Sequence, residues 1–372
     1  MVFIFWVFLT LVFVMIQAQP GDITSFYVGN SKVTPEARAA IQAAFGLDRP
    51  PWEQYLSYLR NFFRGDLGVS FTQFPKGVTT IILERLPRTV LLFVTATVVS
   101  FYVGYNLGKV IAWRRGRMIE YATTVGGVFL YTIFTPWLAL AILWVFAFKL
   151  DWFPVGKFID PLLWLDAPVS SNEVFHRLLI TAGVLALVLP ATTWLLSRRK
   201  LQRSIPIAAG AAFVILATVV LLWAASGVGY LAWDIVKHMV LPVLTVTLIS
   251  FAGTMLLMRN SMLETLREDY VLAARAKGLP DKVVRDKHAA RNALLPVVTS
   301  FVFSLAFAID GGVITETIFS WPGMGLTLLT AASTQDLPLA VGAFLFVGIF
   351  ALVAHLVADV LYAYLDPRIR FR

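Results

Sequence analysis

The chain has 372 residues, of which 58% are hydrophobic and 14% are charged, and its net charge is +9. A soluble domain is about 45–50% apolar and about 25% charged, so composition excludes an ordinary soluble protein. Because the sequence has no cysteine, disulfides, thiolate metal sites and cysteine nucleophiles are excluded as well. Most lysines and arginines flank apolar runs, which indicates membrane topology rather than nucleic-acid binding. We therefore predict an all-α integral membrane protein.

Eight apolar runs predict membrane-spanning helices, each of which needs about 20 residues. In chain order they cover approximately Val2–Ile16, Thr89–Trp113, Tyr121–Leu150, Leu178–Leu196, Ile205–Ala225, Met239–Met258, Leu294–Phe319 and Leu337–Tyr364. The third run is long enough to tilt or to break near Pro136. The fourth and fifth runs predict a helical hairpin that inserts as a unit.

These runs divide the chain into five segments. They are a first transmembrane helix (1–20), an extracytoplasmic segment (21–88), spans two and three (89–150), an inserted hairpin with flanking loops (151–236) and a C-terminal core (237–372) with a cytoplasmic loop at 260–293 and the last two spans. The first run has a second interpretation as a signal peptide ending near Ala18, although it lacks the usual basic residues before it.

Positive charge alternates between successive loops. The turns after spans two and four, the loop after span six and the C-terminal tail are basic, whereas the loop Asp151–Glu173 has one lysine against four acidic residues and Ser320–Asp336 has no cation. Because cytoplasmic loops carry the excess of lysine and arginine, both termini are expected in the cytoplasm. We predict a multi-pass protein of the cell (plasma or inner) membrane.

The extracytoplasmic segment carries two local signals. Thr34 and Pro35 open a predicted helix as N-cap and first residue. Further along, aromatic and leucine side chains between Trp52 and Phe63 form an amphipathic face. That face has two interpretations, a helix lying among lipid headgroups or a platform for an external protein.

The loop at 260–293 predicts two short helices, over about Met262–Lys277 and Asp281–Ala290. Gly278 is a candidate C-cap, and Pro280 follows it. Small residues before Gly278 make a shallow surface that can enter a cleft on another protein. The other interpretation is a solvated basic loop beside the membrane.

The stretch Asp269–Val298 resembles the cytoplasmic loop of ATP-binding-cassette (ABC) importer permeases, and is most similar to the dipeptide, oligopeptide and nickel branch. Leu272 replaces the glutamate of the general importer motif, as suits the peptide branch. The resemblance implies a coupling helix that sits in a groove of an ATPase subunit. The residues expected in this ATPase-coupling loop are Asp269, Ala273, Ala274, Arg275, Lys277, Gly278, Leu279, His288, Asn292, Leu295 and Pro296.

Three other stretches resemble the same branch. The segment Glu316–Gly325 is similar to its outer signature, carried here by Trp321, Pro322, Gly323 and Gly325. Leu365–Arg368 resembles its C-terminal ending, and Phe45–Pro50 with Arg64–Gly68 resembles the external segment of the B-type subunit. The resemblance does not extend over Asp160–Asp234, so the hairpin is expected to be an addition to a six-span family.

The resemblance implies a type I ABC importer permease fold and a set of partners. These are a second, non-identical permease, two ATP-binding subunits, an extracytoplasmic solute-binding protein and membrane lipid. No cofactor or metal is expected in this chain, with ATP and magnesium bound by the partners. The sequence has no G-x-x-x-x-G-K-[ST] phosphate loop, and its four histidines lack metal-ligand spacing.

Ionisable residues within the predicted spans are candidates for function, because charge in the membrane is costly. Asp310, Gly311, Gly312 and Glu316 are possible pathway-lining residues, and Asp359 with His355 shares one face of the last span. Short peptides are the expected cargo, with oligosaccharides or nickel chelates as alternatives. An ATP-independent transporter or channel would show inverted repeats, and a membrane enzyme would show an acid–base or metal cluster; neither is evident.

Overall fold

The computed structural model describes residues 2–17, 50–70, 72–198, 204–308 and 312–365. The helix predicted after Thr34, nearly all of the signature Phe45–Pro50 and the tail after Leu365 lie outside these ranges. In chain order the α-helices are α1 (Val2–Gln17), α2 (Pro51–Phe63), α3 (Val78–Trp113), α4 (Met118–Thr132), α5 (Thr135–Ile142), α6 (Ser171–Arg198), α7 (Ser204–Ala225), α8 (Gly229–Thr265), α9 (Asp269–Ala276), α10 (Asp281–Val283), α11 (Ala290–Phe307), α12 (Val313–Ile318), α13 (Met324–Ser333) and α14 (Leu337–Leu365). Two π-helical stretches, Leu143–Lys149 and Val284–Ala289, continue α5 and precede α11.

Helices α3 and α8 form the centre of the fold and run parallel to each other. They touch through Gly104 and Gly108 of α3, because a methyl group on Gly104 would lie 2.6 Å from the carbonyl oxygen of Phe251, and one on Gly108 would lie 2.5 Å from that of Met255. Two glycines four residues apart let helix backbones approach closely in a membrane. This contact joins the C-terminal halves of the two longest helices of the described structure.

The predicted break in the third span is confirmed. Helix α4 ends at Thr132, α5 begins at Thr135, and the two are bent by 104° relative to each other. Proline has no backbone N–H, and inside a continuous helix its ring would clash with the preceding turn. Pro136 is instead accommodated in the first turn of α5. The bend sends the chain along α5 to the loop at 151–170.

Five helices of the described ranges are long and apolar enough to cross a membrane, and there are six if the bent pair α4 and α5 is counted as one span. This is fewer than the eight spans predicted. Helix α1 is apolar but has only 16 residues, and the predicted seventh span is divided, because α11 ends at Phe307 and α12 begins separately at Val313. Apolar periodicity alone does not reveal such a break.

The bundle has two chemically different ends. We call the end formed by Trp113 and Thr265, the last residues of α3 and α8, the basic end, because Arg114, Arg115 and the loop after Thr265 emerge there. The cation-poor loops at 151–170 and 320–336 lie at the opposite end, next to the first turns of α8 and α14. Charge is therefore segregated as the alternation of the loops predicts.

The inserted hairpin lies at the periphery. Much of helix α7 is exposed, including Phe213, Val220 and Leu221, whereas Val174 and Phe175 at the start of α6 are buried in a core with Leu92 and Trp321. Only the base of the hairpin is therefore integrated into the bundle.

Helix α2 packs on α1 by one side only. The ring of Tyr55 lies 5.2 Å from that of Phe13, and Phe62 lies 5.9 Å from Phe5. Trp52 and Phe63 are exposed. The predicted aromatic face is thus divided between an internal contact and an open surface.

Candidate functional site

The predicted coupling loop begins where α8 leaves the bundle. Helix α8 continues without interruption to Thr265, and a turn through Glu268 leads into α9, which starts at Asp269. The prediction of a helix from Met262 is therefore wrong at its start, because Met262 is a fully buried residue of the long helix. Asp269 lies in the first turn of α9, where a negative charge is favourable.

Gly278 ends α9 as predicted. Its φ angle is +71°, its N–H donates to the carbonyl of Arg275, and the N–H of Leu279 donates to the carbonyl of Ala274. This pair of bonds is a Schellman motif, which favours glycine in the left-handed position. A methyl group on Gly278 would meet no atom within 4 Å. Glycine is therefore favoured here by the positive φ angle and not by close packing, and the space beside it is open.

One side of α9 is buried against the bundle and the other is exposed. Val271 and Ala274 are buried with Met258 and Met262 of α8 and with Val297 of α11. Asp269, Tyr270 and Arg275 are exposed, and so are six further residues that we call the coupling surface: Leu272, Ala273, Ala276, Lys277, Gly278 and Leu279. Ala274 thus belongs to the core, and Ala273 belongs to the exposed surface.

Two side chains of the predicted loop make contacts inside this chain. The guanidinium carbon of Arg275 lies 5.0 Å from the centroid of the Trp113 ring, a cation–π contact. The side-chain amide of Asn292 donates to the Tyr270 hydroxyl at 2.7 Å. Both contacts fix α9 against α3 and α11, so Arg275 is not free to act only as a rim for a partner.

A second anchor of the loop is Asp286. Its carboxylate accepts from Arg285 Nε at 2.8 Å and lies 3.7 Å from Nζ of Lys109 on α3. The hydrogen bond from Arg285, together with the charge of Lys109, holds the pKa of Asp286 below its ordinary value. The π-helical stretch that precedes α11 is thereby fastened to α3.

The remaining residues of the predicted loop lie beside these anchors. His288 is half-buried, whereas Leu295 and Pro296 are exposed near the start of α11. Pro296 lies inside the helix. The structure therefore gathers the predicted coupling residues at one end of the bundle, with the shallow face of α9 pointing away from it.

Glu316 is placed in a buried network at the opposite end. It has no exposed surface; its Oε1 accepts from the Thr89 hydroxyl at 2.7 Å, and its Oε2 accepts from the N–H of Leu326 at 2.9 Å. The Thr89 hydroxyl oxygen in turn accepts from the N–H of Met324. Glu316 and Thr89 thus satisfy free N–H groups at the start of α13, and Glu316 does not line an accessible path in this structure, contrary to the sequence expectation.

The outer signature surrounds this network. A methyl group on Gly323 would overlap Glu316 and Thr89, and one on Gly325 would lie 2.8 Å from Cα of Val313. Trp321 is fully buried and donates from its indole nitrogen to the carbonyl of Arg88 at 3.2 Å. The signature is therefore a packing motif that admits a carboxylate at the start of a helix.

The other pathway candidates are only partly described. Asp310 and Gly311 lie outside the described residues, as does the side chain of Asp359. Gly312 packs under Phe93, because a methyl group there would lie 2.7 Å from the ring. Within the described part of the chain, no group of three or more His, Asp or Glu side chains could hold a metal ion.

Gly104 and Gly108 form a close helix contact that the sequence analysis missed. They join the helix that carries Trp113 to the helix that leads into α9. The spacing G-x-x-x-G within an apolar run is a known signal of close helix contact and was present in the sequence.

Comparison with known proteins bears on this geometry. Residues 201–371 match the family described as binding-protein-dependent transport system inner membrane component, and residues 1–93 match its N-terminal domain. The dipeptide transport system permease protein DppB of Escherichia coli K12 is 31% identical over 97% of this chain and 94% of its own length. This chain belongs to that family of ABC permeases.

Other members show the same relationship. The di/tripeptide transport system permease protein DppB of Pseudomonas aeruginosa is 31% identical over 97% of this chain and 93% of its own length. The oligopeptide transport system permease protein AppB of Bacillus subtilis is 28% identical over 96% of this chain and 93% of its own length. With its apolar helices, the chain is a multi-pass membrane protein and a permease component.

The family match also reaches into the inserted hairpin. It begins at residue 201, before α7, and includes all of α7 and α8. The expectation that the resemblance does not cover Asp160–Asp234 is therefore wrong for residues 201–234.

Proposed function

We propose that this chain is one of two non-identical membrane subunits of an ATP-driven importer of short peptides. Two partner ATPases bind ATP and magnesium, and an external solute-binding protein delivers the peptide. The chain itself performs no bond chemistry. The cargo is supported by the transport functions in the names of its relatives, and the partners by the family's description as a binding-protein-dependent system.

One observation carries the proposal: the coupling surface is small, exposed and rigidly attached. Ala273 and Gly278 allow close approach by another protein, while Val271 and Ala274 on the other side of the same helix are buried against α8 and α11. A subunit that grips the exposed side therefore cannot move α9 without moving two long helices. Displacement also reaches α3, because its contact with α8 at Gly104 and Gly108 is backbone to backbone.

The docking step can be tested by filling the coupling surface. Ala273→Trp adds bulk on the exposed side and leaves the buried contacts intact. We expect the purified complex to lose its ATPase subunits and proteoliposomes to lose ATP-driven uptake. The control is Ala225→Trp, which changes an exposed alanine at the opposite end and should retain both. Normal assembly and uptake of Ala273→Trp would refute the proposed docking site.

Orientation can be tested in the same background, because the chain has no cysteine. Ala273→Cys should react with a membrane-impermeant maleimide only in inverted vesicles, and bound ATPase should protect it. Ala225→Cys should react only in intact spheroplasts. Labelling of Ala273→Cys from outside would place the coupling surface on the wrong side of the membrane and reject the mechanism.

The cargo is tested by uptake in proteoliposomes that contain both permeases, the ATPases and the solute-binding protein. Labelled dipeptide, a labelled oligosaccharide and a nickel chelate are offered separately. We expect ATP-dependent uptake of the peptide. ATP-dependent uptake of either other cargo without peptide uptake would keep the ABC machine and reject the peptide assignment.

A further inference from the structure

A cavity of about 540 Å³ lies at the opposite end of the bundle, between the loop that follows the α5 π-helical stretch and the first turns of α8. Its size is within the usual range of about 300–1,000 Å³ for small-molecule sites. Its charged and imidazole side chains come from both elements: Asp151, Lys157, Asp160, Asp234, Lys237 and His238. None of these residues has a role in the coupling surface or in the Glu316 network.

The backbone around this cavity is unusual. Of the four non-glycine residues with positive φ in the described ranges, Asp151 (50°), Lys157 (74°) and Ser320 (49°) all line it. The N–H of Lys157 donates to the carbonyl of Phe319 at 2.9 Å, which ties the two lining segments together. Left-handed non-glycine residues are costly and concentrate at ligand sites, so the shape of this wall is specified by the fold.

The floor of the cavity is buried and polar. Asp234 and His238 lie one turn apart on α8, with exposures of 8% and 6%. His238 Nδ1 lies 2.8 Å from the carbonyl oxygen of Asp234 and must donate to it, so in the neutral ring Nε2 carries a lone pair. No described residue forms a hydrogen bond with that nitrogen. His238 lines the cavity, so this acceptor is available to a molecule bound there.

The floor and the rim offer opposite groups to such a molecule. Oδ2 of Asp234 accepts from the N–H of Asp160 and from the indole of Trp164, which fixes the carboxylate in place and leaves Oδ1 near the His238 ring, 3.4 Å from Nδ1. The floor therefore presents acceptors to a cation. Lys157 and Lys237 are exposed at the rim beside the exposed Asp151 and Asp160, and the two lysines can present positive charge to an anion.

We propose that this cavity binds the charged termini of an unblocked short peptide, with its ammonium group toward Asp234 and His238 and its carboxylate toward the lysines. This inference rests on the proposed function and names where the cargo's ends are recognised in this chain.

The test is equilibrium binding of radiolabelled alanylalanine to the full purified transporter without the solute-binding protein. We expect saturable binding that N-acetyl-alanylalanine amide does not displace. His238→Asn should weaken it by about tenfold, because asparagine keeps a donor near the position of Nδ1 but lacks the Nε2 acceptor. Lys157→Met should also weaken binding, whereas Lys149→Met, which removes a cation outside the cavity, should not.

The melting temperature of each variant is the control for folding, and that of His238→Asn should equal the wild-type value. Three results would each overturn the inference: wild-type affinity in both the His238→Asn and the Lys157→Met variants, displacement of the label by the blocked peptide, or the absence of saturable binding. If all variants also import peptide at the wild-type rate, the cavity is rejected while the proposed function stands. If the wild type imports no peptide but hydrolyses ATP with another cargo, the peptide function fails instead.

Discussion

At the opposite end of the bundle, two fully buried carboxylates accept hydrogen bonds at the starts of helices, whereas α9 at the basic end is buried through apolar side chains. Glu316 and Asp336 have no exposed surface, and Asp336 accepts from both the hydroxyl and the N–H of Thr72 at 2.7 and 3.0 Å. At the basic end Val271 and Ala274 make the main buried contact of α9, and Lys277 is exposed. Hydrogen bonds to buried carboxylates therefore hold the helix starts at the opposite end, while apolar packing on one side of α9 leaves Lys277 on its other side exposed.

The largest effect is expected at the connection between the two ends. Gly104→Ala places a methyl group against the backbone of α8, and we expect a loss of about 3 kcal/mol, as for overpacking of a close contact. Thermal unfolding of the detergent-purified chain measures it. Gly253→Ala on α8 is the matched control, because a methyl group there meets nothing within 4 Å; equal stability of the two variants would contradict close packing.

The next effect should separate the opposite end from the basic end. Glu316→Ala leaves the Thr89 hydroxyl and the Leu326 N–H without their acceptor, which should cost on the order of 2 kcal/mol. The exposed Glu264 near the basic end provides the control, and Glu264→Ala should change unfolding little. A melting temperature of Glu316→Ala equal to that of the control would show that the network contributes nothing.

A smaller effect distinguishes two cations of the coupling loop. Arg275→Ala removes the contact with Trp113 and should destabilise the chain by about 0.5–1 kcal/mol. Lys277→Ala alters only the exposed surface, so it should weaken ATPase binding and leave the melting temperature unchanged. Both variants are measured by thermal unfolding and by co-purification with the ATPase subunits. A loss of stability in Lys277→Ala but not in Arg275→Ala would contradict the roles given to these two cations.

The smallest effect is a dependence on acid. Because the pKa of Asp286 is lowered in the folded chain, its contribution to stability is present above the ordinary carboxyl pKa of about 4 and is lost as pH falls through the folded value. Asp286→Asn should therefore be less stable than the wild type near neutral pH, and the difference should vanish in acid. A difference that stays constant from neutral pH to pH 2 would contradict this ion pairing.

The sequence predicted those features that depend on nearby residues. The end of α9 was predicted because Gly278 and Pro280 are local signals of a helix terminus, and the break before Pro136 follows from the missing proline N–H. The start of α9 was missed because a buried Met262 in a long helix has the same apolar pattern as a separate short helix.

Features that depend on residues far apart in the chain could not be predicted from local sequence patterns. The burial of Glu316 requires Thr89, which lies far away in the chain, so a carboxylate in an apolar run was read as pathway-lining. Helix α3 begins at Val78 rather than near Thr89, and its first turns are buried against α13 and α14 through Val78, Ile81 and Ile82. Further along, Arg88 packs over the Phe158 ring and hydrogen-bonds to Asn172. The cavity at His238 was missed because its walls come from separate segments.

Helix α8 has 37 residues, a length of about 55 Å at 1.5 Å per residue. Pro242 lies between His238 and the turn that leads to α9, and proline is where helices bend. A tilt of about 5° at that point would move the Thr265 end by about 3 Å. A bend at Pro242 would therefore connect the proposed peptide cavity to the proposed ATPase-docking surface through a single helix.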